Sequence, residues 1–512
     1  MVHSAMILIT NVKVFGNPDA DSILIDNDRI AEVGTEDYLR IKAGGSISEV
    51  IDGGGGLVLP GLIDSHIHLY SSFVSKHTVN LRNVRSIEEL KDRLRRFVRK
   101  AKPKTFIIGF GWDHELFREK RLPTSSDIDE VVRDVPVMLT RICGHIAVVN
   151  SKLIKLLNLE NLIKKYHGLI EVDDYGRPTG VVKESIIDYI KNNMPKPPIH
   201  EVKEGMLKFM KELISYGITS VHAVSVDAFE LSVLSNLASE GILPLRVRVY
   251  VSPNAVDKAL TIPSSGFFKV NGVKLFADGS LGGRTAFLRE EYNDYKGRGS
   301  LLLDTEVFAK LSREVLRRGW QLAVHAIGDG ALEYVLELAL KLRIYGPNLR
   351  IEHASLTPPD IIELMKSVKP LISVQPHFTV SDWWVGERLG RRAKYVYAYR
   401  SLMDAGLTLG GGSDSPVEPY NPWLSISAAM TRGSIRHINP HESLSLHESI
   451  YLYTKGSATL GLDSDLGELR KGAKADLVLV SEYLESMYGY DISSVRPSMV
   501  IINGKVVYKR EF

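Results

Sequence analysis

The stretch GLIDSHIHLY at residues 61–70 places His66 and His68 one residue apart, at the end of an apolar run that begins at Leu57. A continuous apolar run of this kind is typical of a buried strand. On a strand, residues i and i+2 point to the same side, so both imidazoles face one way. Two such imidazoles supply half of a site for a first-row metal. A strand that carries two histidines and no metal is the alternative that this stretch alone leaves open.

Downstream of residue 200, short apolar segments alternate with amphipathic ones. Such alternation predicts parallel strands joined by helical crossovers. With the strand before His66 there are eight candidate strands, the number found in a (β/α)8 barrel. An open doubly wound sheet is the alternative, but no G-x-G-x-x-G sequence opens a helix after the first strand. The other candidate strands are ITSVHAVS (218–225), LRVRVYVS (245–252), NGVKLFADGS (271–280), QLAVHAIGD (321–329), RIEHASL (350–356), LISVQPHF (371–378) and LTLGGGSDSP (407–416).

The two ends of the chain predict a second, smaller β domain. Both ends are rich in β-branched residues interrupted by Asn, Asp and Gly, a pattern typical of short strands and tight turns. Neither end is long enough to form a stable sheet alone. We therefore expect residues 1–60 and 456–512 to pair in a β-sandwich beside a barrel of residues 61–455. Between about 105 and 195 the pattern is irregular, and we interpret this segment as an inserted subdomain that covers the metal end of the barrel.

Composition and charge narrow the class of protein. The 512 residues are 44% hydrophobic and 24% charged, with a net charge of +3. The sequence has no clustered run of basic residues, which argues against nucleic acid as a partner. The single Cys143 excludes a disulfide within the chain. The N-terminus lacks the features of a signal peptide, and no apolar run reaches the roughly 18 residues of a membrane span. We expect a cytoplasmic protein with a small-molecule substrate and no membrane partner, and a homodimer is plausible by base rate.

Polar side chains recur where the candidate strands end. In a parallel barrel these ends meet on one face, where active sites are built. Imidazole and carboxylate suit zinc and its neighbours, while the lack of clustered cysteines argues against a structural zinc site. The glycine run before Asp414 lets the backbone approach closely, and a carboxylate there can bind metal and accept a proton. The residues concerned are His66, His68, His222, Lys274, Asp278, His325, His353, His377 and Asp414.

An ordered set of motifs resembles the metal-dependent amidohydrolase superfamily, and specifically the branch called amidohydrolase family 3, the YtcJ-like hydrolases. The motifs are PGLIDSHIH, NGVKLFADGSLGGRTA, LAVHAIGD, RIEHAS, SVQPHF and GSDSP, followed by GELRKGAKADLVLV near the C-terminus. Each motif is weak alone, but the ordered set is specific and covers essentially the whole chain. The resemblance implies a (β/α)8 barrel beside a β-sandwich built from both termini.

The resemblance also implies a set of metal ligands. Carried over position by position, the first strand would supply two histidine ligands, and the fifth and sixth strands one histidine each. The eighth strand would supply an aspartate that also shuttles protons. The fourth-strand lysine would be carboxylated by carbon dioxide and would bridge two divalent ions, with zinc as the expected metal. The implied ligands are His66, His68, Lys274, His325, His353 and Asp414.

Lys274 requires separate consideration, because an unmodified lysine is a cation that repels a divalent metal. Carboxylation gives an anionic ligand and needs a neutral amine, which burial favours. The alternative is a plain ion pair between Lys274 and Asp278. Some branches of the superfamily use Glu or Cys at this strand, or hold a single metal, so the number of metals stays open.

Five further residues are candidates for contact with the substrate: Trp112, His145, His222, Arg284 and His377. Arg141, Gly144 and His145 in RICGHIAVVN, like Arg284 in SLGGRTA, resemble recurring non-ligand positions of this branch. Packing within the insertion or a solvated surface position is an equal alternative for Trp112 and His145. A structural role is an equal alternative for His222 and His377.

We therefore predict a metal-dependent hydrolase that cleaves a C–N bond, amide or cyclic amide-like, of a small molecule by metal-activated hydroxide. One alternative is a deaminase that uses a single metal on an aminated heterocycle. Hydrolysis of an ester or phosphoester at the same site is another. The alternative from a different class is a non-catalytic binding protein that keeps the amidohydrolase fold. Substrate identity lies in the loops and the insertion and does not follow from the fold.

Overall fold

The computed structural model describes residues 6–101, 105–143, 145–166, 168–194, 198–433, 438–481 and 484–510. The chain divides into two compact units. Unit 1 contains residues 1–72 and 203–512, and unit 2 contains residues 73–202. The six predicted metal ligands all belong to unit 1.

Unit 1 contains a sheet of eight parallel strands in which each strand pairs with the next along the chain. The first and last strands meet through a bridge between Ile67 and Ser415. The predicted (β/α)8 barrel is therefore confirmed. Its strands are β1 (Leu62–Ile67), β2 (Ile218–Val226), β3 (Arg246–Val251), β4 (Phe268–Phe276), β5 (Gln321–Ala326), β6 (Leu349–His353), β7 (Leu371–Val374) and β8 (Leu409–Gly411).

Helices connect and cover the barrel strands. Several begin at a side-chain cap: the carboxylate of Asp227 accepts from the backbone amides of residues 229 and 230, and that of Asp304 accepts from the amide of Val307, which satisfies amide groups that a first helical turn leaves free. The helices on either side of and between the strands are Leu69–Lys76, Ile199–Ser215, Ala228–Ser239, Val256–Ala259, Thr305–Arg318, Asp329–Leu342, Pro359–Val368, Phe378–Ser381, Val385–Leu389, Tyr399–Asp404, Pro422–Thr431, Leu446–Tyr451 and Ser457–Leu460.

The seam between β8 and β1 sets the relative positions of His66 and Asp414. The amide of Asp414 donates to the carbonyl of His66 at 2.7 Å, and the amide of His68 donates to the carbonyl of Ser415 at 3.0 Å. Gly412 lies against this seam, where a Cβ would come within 2.6 Å of the backbone nitrogen of His66. Only glycine therefore fits without moving the first strand.

We expect Gly412→Ala to lower the free energy of unfolding by about 1–3 kcal/mol, because the added methyl group overpacks the seam. Chemical denaturation would measure the change. Gly386→Ala is the matched control, since a Cβ at Gly386 meets no atom within 4 Å. Equal stability of the two variants would show that the seam is not tightly packed.

The termini form two further sheets of unit 1. One contains Met6–Thr10, Ser22–Asp26, Arg29–Gly34 and Ile47–Asp52, and helix Glu36–Ala43 accompanies it. The other contains Lys13–Val14, Leu57–Pro60, Leu477–Val480, Pro497–Ile502 and Lys505–Lys509, so strands from both ends of the chain pair in it. Residues from both sheets, among them Ile9, Ile23, Leu477 and Ile501, share one buried core. The predicted β-sandwich of both termini is confirmed.

Unit 2 has a mixed sheet of its own, where the sequence predicted an irregular insertion. Its strands, in spatial order, are Ile170–Val172, Pro178–Lys183, Ile146–Val149, Val137–Arg141, Ile107–Trp112 and Thr78–Asn80. Its helices are Ile87–Ala101, Ser125–Asp129, Ser151–Leu156 and Ser185–Asn193.

Burial on both faces explains why this sheet was not recognised in the sequence. Leu139 and Val148 pack into one apolar cluster, while Met138 and Val149 pack into another. Such strands read as short apolar runs without polar alternation, and such a run resembles a buried helix segment as much as a strand.

In the described part of the chain, no helix combines the length and apolar character needed to cross a membrane.

Candidate metal centre

The ends of β1 and β8 bring two histidines and one aspartate together. Oδ1 of Asp414 lies 3.2 Å from Nε2 of His66 and 3.3 Å from Nε2 of His68. Within the described residues these three side chains form a group whose ligand atoms all lie within 4.8 Å of one another. Asp414 is 348 residues from His66 and 346 from His68 in sequence, and the closure of the barrel brings it to the two histidines.

The other three predicted ligands lie around the same cavity. The ring centroids of His325 and His353 are 4.5 Å apart, and those of His66 and His353 are 5.0 Å apart. The cavity has a volume of about 390 Å³, within the usual range for a small-molecule site. Its lining residues are His68, Lys274, Phe276, Ser280, Leu281, Gly282, His325, Ile327, His353, Ser355, Phe378, Asp382, Trp384, Tyr397, Asp414 and Val417.

Two of the six predicted metal ligands have strained backbones. His353 has a φ of 76° and Asp414 a φ of 56°, in the left-handed region that non-glycine residues rarely adopt. Each lies at or just after the end of a barrel strand, where the change in chain direction turns its side chain. Strain of this kind persists when the surrounding structure enforces it, and it clusters at functional sites.

Each of three imidazoles at the strand ends has one nitrogen close to an acceptor. Nδ1 of His66 lies 2.5 Å from the carboxylate of Glu352, and Nδ1 of His353 lies 2.8 Å from Oε1 of Gln375. Nε2 of His325 lies 2.8 Å from the carbonyl oxygen of Gly279. An acceptor at one nitrogen keeps the proton there and leaves the lone pair of the other nitrogen available. The available atoms are therefore Nε2 of His66 and His353, and Nδ1 of His325.

Glu352 belongs to a buried charged network that the sequence analysis did not identify. Its carboxylate lies between His66 and Arg350, whose Nε is 2.6 Å away, and both side chains of the Arg350–Glu352 pair are fully buried. Although burial raises the pKa of Glu352, the charges of Arg350 and His66 hold that pKa well below its usual value. The signal in the sequence is the alternation of charged residues in RIEH, which places Arg350 and Glu352 on the same side of β6.

Arg350→Ala should lower the free energy of unfolding by about 3–5 kcal/mol, because removal of one partner leaves the Glu352 carboxylate buried without its counter-charge. Guanidinium denaturation of the full chain measures this. The double variant Arg350→Met/Glu352→Gln is the informative comparison, since it removes both charges. A single variant as stable as the wild type would show that the pair does not balance charge inside the barrel.

Lys274 is fully buried, and its Nζ has no hydrogen-bond partner among the described residues. Burial lowers the pKa of the Lys274 amine, against the opposing effect of the Glu352 and Asp414 carboxylates. The alternative of an ion pair with Asp278 is not formed. The Asp278 carboxylate instead accepts from the backbone amides of Phe287, Ile327 and Gly328 at 2.8 to 3.0 Å, and burial raises its pKa to about 7.

The donor set fits a divalent transition metal. Nε2 of His66 and Nζ of Lys274 are buried without a hydrogen-bond partner among the described residues, and leaving such atoms unsatisfied costs about 1–3 kcal/mol each. Imidazole nitrogen and carboxylate oxygen are the ligands of catalytic zinc sites and of related divalent metals. A metal ion would satisfy the lone pair of His66, whose opposite nitrogen is already bound.

Three residues of unit 1 that were predicted to contact the substrate are not among the residues that line the cavity. His222 is fully buried, and its Nδ1 accepts from Arg350 at 2.9 Å. Arg284 forms an ion pair with Asp294 at 2.8 Å. His377 pairs through Nδ1 with the Glu418 carboxylate. These contacts favour the structural alternative for His222 and His377, and they leave Arg284 occupied by an acidic partner.

The predicted contacts in unit 2 have partners within that unit. Trp112 is fully buried, and its indole donates to the carbonyl of Leu139 at 2.8 Å. His145 has a side chain that is 69% exposed and pairs with Glu184. The burial of Trp112 and the exposure of His145 agree with packing and solvated-surface roles, the alternatives left open by the sequence. Arg141 pairs with Asp113 at 2.6 Å, and Gly144 lies outside the described residues.

A closed parallel barrel directs imidazoles and a carboxylate into one cavity, as expected of a metal-dependent hydrolase. Residues 49–508 match the family described as the amidohydrolase family. The chain belongs to this family.

Relatives cover nearly the whole chain. It is 30% identical over 508 residues to YtcJ of Bacillus subtilis (strain 168), with 96% of each chain covered. It is 23% identical over 543 residues to the N-substituted formamide deformylase of Arthrobacter pascens, with 99% of each chain covered. The crystal structure of an uncharacterized metal-dependent hydrolase from Pyrococcus horikoshii OT3 matches with a TM-score of 0.83 and 32% identity, covering 95% of this chain and 99% of that one.

Proposed function

We propose that this protein hydrolyses a C–N bond, amide or cyclic amide-like, in a small molecule. The observation that carries the proposal is the convergence on one cavity of imidazole nitrogens with available lone pairs and the Asp414 carboxylate. The similarity to a protein named N-substituted formamide deformylase supports a C–N bond over an ester.

The residues that would hold the metal are the two histidines of β1, Asp414, His325, His353 and Lys274. When bound there, a divalent ion would polarise a carbonyl oxygen and lower the pKa of water. Glu352, Gln375 and the carbonyl of Gly279 keep the ligand nitrogens of the histidines unprotonated. Each of these three acceptors lies opposite the nitrogen that the ring offers to a metal, which sets the orientation of the ring.

Asp414 is the proposed proton carrier. Its carboxylate lies at the cavity within 3.3 Å of both β1 imidazoles. Asp414 would accept a proton from the water that attacks the carbonyl carbon, and it would deliver this proton to the nitrogen as the C–N bond breaks. Water thereby adds a hydroxyl group to the acyl carbon and a hydrogen to the amine, and Asp414 returns to its ionised form.

Carboxylation of Lys274 would explain a buried amine with no hydrogen-bond partner among the described residues. The amine attacks carbon dioxide, loses a proton and becomes an anionic carbamate able to bridge two ions. We expect protein prepared with 13C-labelled bicarbonate to show a carbamate carbon signal by NMR that is absent in Lys274→Met. Lys208→Met, at an exposed helix position, is the control and should retain the signal. Identical spectra from wild type and Lys274→Met would remove the bridge from the account.

The reaction is tested with metal-loaded enzyme on N-acyl amino acids, N-substituted formamides, hydantoins and cyclic ureas. Released amine or ring-opened product supports the proposal, provided that chelation abolishes the activity and added metal restores it. Ammonia release from aminated purines or pyrimidines, without cleavage of any amide, would instead identify a deaminase. Turnover of aryl esters or phosphoesters alone would contradict the C–N assignment.

A further inference from the structure

Asp382 is the acidic residue in the cavity that the proposed metal centre does not use. It follows helix Phe378–Ser381, just beyond β7. The other ionisable side chains that line the described cavity are the predicted ligands and Tyr397, and no arginine is among the lining residues. Arg284, one of the predicted substrate contacts, is paired with Asp294. Beyond the predicted metal ligands, the described cavity therefore offers a substrate one carboxyl group and no cationic side chain.

The Asp382 carboxyl has no basic partner. The Asp382 carboxyl accepts a hydrogen bond from the hydroxyl of Tyr397. No basic side chain among the described residues forms an ion pair with it. Burial raises the pKa of Asp382 to about 7, the Tyr397 hydrogen bond opposes this, and the charge of Glu418 adds to it. A carboxyl group in such surroundings lacks a counter-charge.

Aromatic rings surround the same space. Phe276, Phe378, Trp384 and Tyr397 all line the cavity, and the rings of Phe378 and Tyr397 are stacked with centroids 6.5 Å apart. Aromatic faces attract cations, most strongly where water is excluded. Arg388 lies over the Trp384 ring at 5.3 Å and Lys274 Nζ over the Phe276 ring at 4.9 Å. The rings of Phe378 and Tyr397 and the uncompensated Asp382 carboxyl are therefore the chemistry that recognises an organic ammonium group.

We propose that Asp382 and these aromatic residues select substrates in which an apolar or aromatic group carries a cationic amine. The inference rests on the proposed hydrolysis for its meaning, because it names the substrate class of that reaction. It assigns Asp382 to substrate selection and not to the chemical step. Asp382 would stay ionised opposite the cation, and the apolar walls would cover the hydrocarbon part.

Binding can be measured without turnover, which separates this inference from the proposed reaction. The probes are benzyltrimethylammonium, which cannot bind a metal, and its neutral carbon isostere neopentylbenzene. In equilibrium dialysis with metal-loaded, full-length protein, we expect the cation to bind at least about tenfold more tightly than the isostere. We also expect Asp382→Asn to weaken cation binding about tenfold or more, a typical loss for a charged partner, and to leave the isostere unchanged.

Asp404→Asn is the matched control, since Asp404 is exposed and pairs only with Arg400 among the described residues. It should bind both probes as the wild type does. Equal affinity of the wild type for the two probes, failure to bind either, or unchanged cation binding in Asp382→Asn would each overturn the inference. The wild-type comparison needs no variant, so it decides the matter even where Asp382→Asn does not fold. Failure of the amide panel alongside selective cation binding would reject the reaction and keep the cation site.

Discussion

Asp414→Asn should reduce turnover at least about a hundredfold while the protein keeps its metal, because a positioned proton-transfer group contributes roughly 10²–10⁴ in rate. The amide oxygen of Asn can still coordinate, but it cannot accept and return a proton as a carboxylate does. Steady-state kinetics on the best substrate of the amide panel, with metal content determined on the same sample, measures both quantities. We expect the loss in kcat rather than in KM.

Asp404→Asn serves as the control for this substitution as well, because it makes the same chemical change at an exposed ion pair. Its turnover should match the wild type. Turnover at the wild-type level in Asp414→Asn would remove Asp414 from the mechanism. Loss of turnover accompanied by loss of metal would show that Asp414 acts as a ligand and would leave its role as proton carrier unsupported.

The double variant His66→Ala/His68→Ala should lose more than about a hundredfold in metal affinity. Changing only a partner of a metal ligand costs about 10- to 100-fold, and this variant removes two ligands from one strand. Elemental analysis after dialysis against a weak chelator measures the metal retained. Hydrolysis should fall with it, and added metal should not restore it.

His441→Ala is the histidine control, since its side chain is 66% exposed and its partner is the adjacent Glu442. It should retain metal at the wild-type level. Circular dichroism and a denaturation curve of the double variant establish that the barrel is still folded. Unchanged metal content in the folded double variant would mean that the first-strand assignment is wrong.

The barrel could be predicted because its strands and helices alternate with clear periodicity. The ends of its strands also carry polar residues, which a parallel barrel brings to one face. The close approach of His66, His68 and Asp414 follows from this topology, since β1 and β8 close the sheet. The sheet of unit 2 could not be predicted in the same way, because its central strands are buried on both faces and show no alternation.

The partners of the ligand residues were harder to find. Gly279 acts through its backbone carbonyl, and no side-chain pattern reports that. Arg350 and Glu352 did leave a signal, since charged residues at alternate positions of a buried strand must find counter-charges inside the barrel. The same pattern occurs in β3, where buried Arg246 pairs with Asp476 from the C-terminal segment.

The substrate contacts predicted for Trp112, His145 and Arg284 stay predictions, and the structure adds a local partner for each residue. Each is a polar or aromatic residue in a motif-like segment, yet each has its own local partner: Leu139, Glu184 and Asp294 respectively. Asp382 had no motif to single it out, and it emerged only from the cavity that the folded barrel encloses.

The central claim is that the strand ends of this barrel hold a divalent metal. Anomalous diffraction at the absorption edge of the metal, from crystals of the purified protein, tests it most directly. We predict an anomalous peak in the cavity with metal–nitrogen distances of about 2.0–2.1 Å to Nε2 of His66 and His68, the range for zinc–histidine bonds, and with Asp414 as a further ligand. Metal-replete crystals with no anomalous peak in this cavity, or with peaks only elsewhere on the protein, would contradict the account.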